Sequence, residues 1–321
     1  MSLPLHAAVH FLNVGWGDAH LIHAPSGNVT LIDGGDGLLA SHRDHPLSWL
    51  KREGIERLDW MILTHLHEDH LNGLLDVARS LTVVHAVLPY EIPVMDMEAP
   101  ESEAAGLELS SPQSRVLVIL AAYRELIRLL REQGTAIRWR SEYGFAGGST
   151  IWEEGPYRLD HLYPWAADPL PGLEVLREAA RGGKLASEEW LAQLEGFFDR
   201  SNDDSSVYRL EEAGAEGKGI LFGGDLLAAG WERLSERTDL SCCVLKAPHH
   251  GLDDAFDGQL LSAAAPAHAV IPISIDRSQP MEERWSELCS ARGTAYHLTG
   301  ASAPMEKKRL ISGSIEAWIG G

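Results

Sequence analysis

Between residues 64 and 70 the chain reads Thr64-His65-Leu66-His67-Glu68-Asp69-His70, three imidazoles and a carboxylate within six residues. Buried without compensation, such polar groups each cost roughly 1–3 kcal/mol, whereas a bound cation satisfies all of them together. Imidazole nitrogen with carboxylate oxygen suits zinc, manganese or iron. The cluster follows Asp59-Trp60-Met61-Ile62-Leu63, which reads as a short buried strand. Side chains alternate along a strand, so His65 and His67 at its end project to one face. Asp69 and His70 are expected in the turn beyond, within reach of a second ion close to the first.

Two later segments fit the same chemistry. Ile220-Leu221-Phe222-Gly223-Gly224-Asp225 is an apolar run ending in Gly-Gly-Asp. Such an ending is in general only a turn, but a carboxylate there, with small neighbours, is able to approach two ions and bridge them. Val244-Leu245-Lys246-Ala247-Pro248-His249-His250-Gly251 is a second apolar run, ending in paired histidines. Adjacent histidines before a glycine are unusual outside metal or catalytic sites.

These groups must be held by a scaffold, and the chain spells one of α/β type. Runs at 8–14, 19–23 and 29–33 read as strands of a meandering sheet, separated by Gly and Pro-Ser-Gly breakers. A helix is expected from Leu71 to Ser80. The clearest helix spans Ser111–Gln133, with Ser111 as N-cap, Pro112 in first position and Gly134 just past the end. Its residues Val116, Ile119, Leu120, Tyr123, Ile127 and Leu130 mark one buried face. Residues 165–200, with a helical stretch from Ser187 to Phe198, read as a surface insertion. Further strands are expected at 206–210, 219–222 and 242–246. No linker divides the chain, so residues 1–321 are expected to form one domain with two sheets and outer helices. Trp16, Trp139, Trp152 and Trp165 are expected in the core or a pocket wall. His161 and His297 read as scattered positions, at the surface or at most behind the metal ligands, His20 and His23 have no assigned role, and the Glu-rich stretches at 98–108 and 187–195 read as solvated faces.

The 321 residues carry 47 acidic against 27 basic side chains, a net charge of −20. Such a surface repels phosphate backbones at long range and argues against a stable nucleic-acid binder. It leaves phosphate chemistry open, because bound divalent cations dominate the local field of a pocket. Neither a signal peptide nor a transmembrane run is read. The cysteines Cys242, Cys243 and Cys289 make no disulfide framework, so a cytoplasmic location is expected.

In order and spacing the motifs resemble the metallo-β-lactamase superfamily, and within it the hydrolase domain of the ComEC/Rec2 DNA-uptake proteins and their stand-alone relatives. The resemblance runs from Asn13-Val14-Gly15-Trp16-Gly17-Asp18-Ala19 through Leu31-Ile32-Asp33-Gly34-Gly35 and His65–His70. It resumes at Asn202-Asp203-Asp204-Ser205-Ser206-Val207, Gly224-Asp225 and Lys246–Gly251. It implies a four-layer αβ/βα sandwich with a metal pair at one edge of the sheets. His65 and His67 would hold the first ion, Asp69, His70 and His250 the second, and Asp225 would bridge. Asn202 stands where most of the superfamily has histidine, as an amide ligand or beside an open position. His249 would contact substrate or act as acid, and Asp18 and Asp33 would orient ligands or water. The chain departs from ComEC-like members in carrying His67 where aspartate is common and Leu252 where serine follows His-His-Gly. Pro272-Ile273-Ser274-Ile275-Asp276 replaces their Ser-x-Gly-x-x-Asn. It also has no counterpart of their membrane channel, which sets aside DNA transport by this chain alone.

The expected activity is a hydrolase with two divalent ions, zinc foremost, manganese or iron as alternatives. Two ions about 3.5–4 Å apart activate a bridging water and stabilise developing charge. Asp69, or a carboxylate behind the ligands, takes a proton, and His249 stabilises or protonates the leaving oxygen. The expected substrate is a small or nucleotide phosphodiester, or a flexible single strand. Competing readings are lactone, ester or thioester hydrolysis, an oxidoreductase, and a metal-bound interaction subunit with a protein partner.

Overall fold

In the computed structural model, residues 6–93, 112–145, 149–182, 188–215, 218–300, 308–312 and 315–319 are described. The expected N-cap Ser111 and the stretch 98–108 lie outside the described residues. Strands β1 (Ala7–Phe11), β2 (His20–His23), β3 (Val29–Ile32), β4 (Arg57–Ile62), β5 (Thr82–Leu88) and β6 (Ala136–Trp139) build the first sheet. The second holds β7 (Thr150–Glu154), β8 (Tyr157–Tyr163), β9 (Val207–Glu212), β10 (Ile220–Phe222), β11 (Val244–Lys246), β12 (His268–Ile271) and β13 (Ala295–Leu298). β14 (Lys308–Ser312) and β15 (Ile315–Ile319) return to the first, giving the orders β14-β15-β1-β2-β3-β4-β5-β6 and β13-β12-β11-β10-β9-β8-β7.

The central strands are apolar on both faces because both faces are covered. Ile220 and Phe222 of β10 meet Val9 and Phe11 of β1 in the core between the sheets. Leu221, between them in sequence, points the other way, into a core shared with Trp231, Leu260 and Trp285. Those three come from α6 (Ala228–Ser235), α7 (Gly258–Ala264) and α9 (Glu282–Ser290), following a one-turn α8 (Ile275–Ser278). The outer face of the first sheet is covered by α1 (Pro46–Arg52), α2 (Glu68–Ser80), α3 (Pro112–Glu132), α4 (Pro171–Gly182) and α5 (Glu188–Arg200). The layers are helix, sheet, sheet, helix, the expected αβ/βα sandwich.

The stripe on α3 from Val116 to Leu130 is buried as its spacing predicts. The segment expected to be a surface insertion supplies α4 and α5, whose Leu173, Leu176, Leu194 and Phe197 join the same core as α3. Two expectations are corrected. Asp69 and His70 sit in the first turn of α2, not in a turn before it: the helix begins at Glu68, where acidic residues meet the exposed N–H groups. His161 is wholly buried, with its Nε2–H donating to the Pro164 carbonyl at 2.8 Å. His297 is half-buried, 3.2 Å from His268. Trp139 and Trp152 pack against the cores and Trp165 lies under Arg237. The cysteines are free, and among the described residues no helix is long and apolar enough to cross a membrane.

Candidate metal centre

Parallel strands end on a common edge, and this edge collects the chemistry. β3 runs parallel to β4, and β10 to β11. Asp33 follows β3, His65 follows β4, Asp225 follows β10 and His250 follows β11. The loop bearing Asp18 lies against the start of α2, with the Asp18 N–H donating to the Asp69 carbonyl at 3.2 Å. Gly17 (φ 128°) makes that approach possible, since a Cβ there would run into the Asp69 carbonyl. His249 and His250 both adopt left-handed backbone (φ 44° and 50°), a conformation most residues avoid. It turns two successive imidazoles into the site.

Asp69, His70, Asp225 and His250 bring one potential ligand atom each within 4.8 Å of one another. Asp225 Oδ2 is 3.2 Å from both His70 Nε2 and His250 Nε2, and Asp69 Oδ2 is 3.2 Å from His250 Nε2. The rings of His65 and His67 adjoin this group, with His65 4.3 Å from His70 and 4.8 Å from His67 between centroids.

Each of the four imidazoles is oriented by a hydrogen bond on its far side. His70 Nδ1 donates to Asp33 Oδ2 at 2.9 Å, and His250 Nδ1 donates to the Pro272 carbonyl at 3.1 Å. His67 Nε2 donates to the Phe198 carbonyl at 3.0 Å. Thr64 Oγ1 donates to Asp33 Oδ2 at 2.8 Å and so accepts from His65 Nδ1 at 3.1 Å. The remaining nitrogens, Nε2 of His65, His70 and His250 and Nδ1 of His67, are the ones left to a cation. This outward anchoring is the arrangement metal-binding histidines require. His65 Nε2 is buried without a partner, as is Asn202 Oδ1, whose amide Nδ2 donates to His249 Nε2 at 3.1 Å. The donor set and these two orphaned atoms fit a pair of divalent ions.

The electrostatics agree. Burial pushes the His65 and His67 imidazoles down, keeping them neutral as a ligand must be. Burial works the same way on His70 and His250, yet Asp225 and its carboxylate neighbours overcome it, lifting His250 to about 9 and His70 well above its ordinary value, so each holds a proton that a bound ion would displace. Burial raises Asp69 and Asp225, and the facing histidines reverse this and hold both far below the ordinary carboxylate range. The carboxylates thus draw positive charge into one small volume.

Lys246 received no role from the sequence, although a charged residue ending an apolar strand was a signal. Wholly buried, its Nζ is ion-paired to Asp18, donates to the Gly224 carbonyl at 2.7 Å and lies 3.4 Å from Asp225 Oδ1. Burial alone would raise Asp18, but Lys246 and His20 pull it down to about 2. Lys246 therefore occupies one oxygen of Asp225 and leaves Oδ2 for the cluster. Ser205, accepting from the Asp225 N–H at 2.9 Å, and His20, buried 3.6 Å from Asp18, were also missed. His249 lies outside the cluster on the wall of a cavity of about 770 Å³, its Nδ1 donating to Asp254 at 2.8 Å. Trp16 forms another part of that wall, its ring 4.5 Å from that of His250.

No curated protein matches the chain. Among solved structures it is similar to CmlA, a diiron β-hydroxylase from Streptomyces venezuelae (14% identity, 92% of this chain, 53% of that one, TM-score 0.44). It is also similar to the metallo-β-lactamase fold protein YhfI from Bacillus subtilis (10% identity, 90% and 95%, TM-score 0.44). A third is a diphosphatase from the PhnP family (14% identity, 88% and 80%, TM-score 0.39). The chain spans about half the length of the first. The family model of the metallo-β-lactamase superfamily matches residues 14–148, which include Asp18, Asp33 and the whole His65–His70 motif. Over that stretch, less than half of its length, the chain is similar to the metallo-β-lactamase superfamily.

Proposed function

We propose that this chain is a dinuclear metal-dependent hydrolase that cleaves phosphodiesters, of a nucleotide or of a flexible single strand. The observation that carries the reading is the convergence of four outward-anchored imidazoles with Asp69 and Asp225 beside a cavity of about 770 Å³. A bound pair of divalent ions supplies Lewis acidity and brings the pKa of water towards neutrality. His65 and His67 would hold one ion and Asp69, His70 and His250 the other, with Asp225 and Asn202 as further donors. Asp69 accepts the proton of the attacking water. His249, its Nδ1–H held by Asp254, lines the cavity; once its Nε2 is released by the Asn202 amide and protonated, it passes that proton to the departing oxygen. The cavity lining carries more carboxylates than arginines, so its pull on an anionic substrate over a neutral lactone or ester would come from the bound cations, with Arg277 beside them.

Purified protein loaded with zinc or manganese is assayed on bis-p-nitrophenyl phosphate, a single-stranded oligonucleotide and a lactone and thioester panel. Chelator-sensitive turnover of the phosphodiesters, lost in Asp225→Asn, is expected. Turnover of lactones alone, or of nothing, overturns the reading.

A further inference from the structure

We propose that Arg277 is an anion clamp of this site, seating a second phosphate of the substrate beside the phosphodiester that is cleaved. This deepens the hydrolase reading and rests on it. Of the three arginines lining the cavity, two are already neutralised: Arg43 Nη1 bonds Asp36 at 2.9 Å and Arg115 is ion-paired with Glu68. Arg277 makes no ion pair among the described residues. The adjacent Asp276 directs its carboxylate to a hydrogen bond with Ser274, with Arg277 near enough only to add to the lowering of its pKa. Among the three arginines of this cavity it is the one whose guanidinium is not taken up by an ion pair.

Its guanidinium is nevertheless held. Arg277 Cζ lies 4.4 Å from the centroid of Trp16, and Trp16 in turn packs at a tilt against the candidate ligand His250, 4.5 Å between ring centroids. A guanidinium resting on an aromatic ring has its plane fixed and its N–H donors free around the edge. That planar fork matches two oxygens of a phosphate, and charge-assisted bidentate bonds of this kind are the strong ones. The stack thus places a preorganised anion site one aromatic ring away from the metal ligands. The cavity is large enough for a ligand extending beyond one phosphate. Arg277 belongs to α8, directly after the 272–276 segment in which the sequence departs from its family resemblance.

The test compares metal-loaded wild type, Arg277→Gln and Arg277→Lys on a 5′-phosphorylated thymidine dinucleotide, the same dinucleotide without that phosphate, and a dephosphorylated dodecamer. Wild type is expected to favour the phosphorylated dinucleotide in kcat/KM by about tenfold or more, chiefly through KM. Arg277→Gln collapses that ratio towards one, and Arg277→Lys, a point charge without the fork, restores it only in part. A loss confined to the phosphorylated dinucleotide means a terminal phosphate is seated; an equal loss on the dodecamer means an internal one. No preference in wild type and no loss on the dodecamer, or a preference that survives Arg277→Gln, overturns the clamp. Should nothing turn over, the hydrolase reading fails by itself, and equilibrium binding of the two dinucleotides reads the clamp alone. Tighter binding of the phosphorylated form by wild type but not by Arg277→Gln upholds it, and equal binding overturns it.

Discussion

Replacing Lys246 by methionine removes one positive charge while keeping most of the side-chain volume. In the native fold that charge is wholly buried between Asp18 and Asp225 and also donates to the Gly224 carbonyl at 2.7 Å. Asp18 would be left as a buried carboxylate facing only histidines. Breaking a buried pair from one side costs about 3–5 kcal/mol, because the partner keeps its desolvation without its counter-charge. For a domain of this size that is a fall in Tm of roughly 10 °C. Removing both charges together, in Asp18→Asn with Lys246→Met, is expected to recover at least half of the loss. Lys246→Met also removes a positive charge from beside Asp225, so metal affinity is expected to rise. Urea unfolding in chelator measures the first effect and competition with a zinc indicator the second. A loss below about 1 kcal/mol, or no coupling between the two substitutions, refutes the reasoning.

His249→Gln should lower kcat on a dinucleotide by about 10²–10⁴-fold, and far less on p-nitrophenyl esters, whose leaving group needs no proton; equal losses on both would remove its role as acid. Burial foremost pushes His161 down to about 4 from the ordinary 6.5, with Arg140 and Arg237 adding to it. The unfolded chain therefore binds a proton that the folded chain refuses. The neutral imidazole's contribution is full above about pH 6.5 and is lost as pH falls towards 4, up to about 3 kcal/mol. Urea midpoints of wild type and His161→Asn followed from about pH 8 to about pH 4.5 should converge on the acid side; parallel profiles would contradict this.

What was legible in the sequence is what local chemistry dictates. His65–His70, Gly-Gly-Asp225 and the His249-His250 pair each stand at the end of an apolar run, and β10 and β11 end within one residue of expectation or on it. The α3 stripe was readable because its partners lie three and four residues apart. The start of α2 was not: His67, Glu68 and Asp69 carry no apolar period, so the first turn looked like a loop. His161 could not be recognised as buried, because its one hydrogen bond goes to a backbone carbonyl that any sequence offers. Lys246, Trp16 and Arg277 escaped for a different reason. Their partners lie far away in sequence, Asp18 from Lys246 and Trp16 from Arg277, and only the closing of the two sheets brings them together.

The most direct test of the central claim is the metal content of the protein after exposure to zinc or manganese and dialysis, with anomalous diffraction to place the ions. About two equivalents per chain are predicted, one scatterer against His65 and His67 and one against Asp69, His70 and His250, with Asp225→Ala retaining fewer. A wild-type protein that keeps almost no metal, or ions bound elsewhere while these imidazoles stay uncoordinated, would contradict the account.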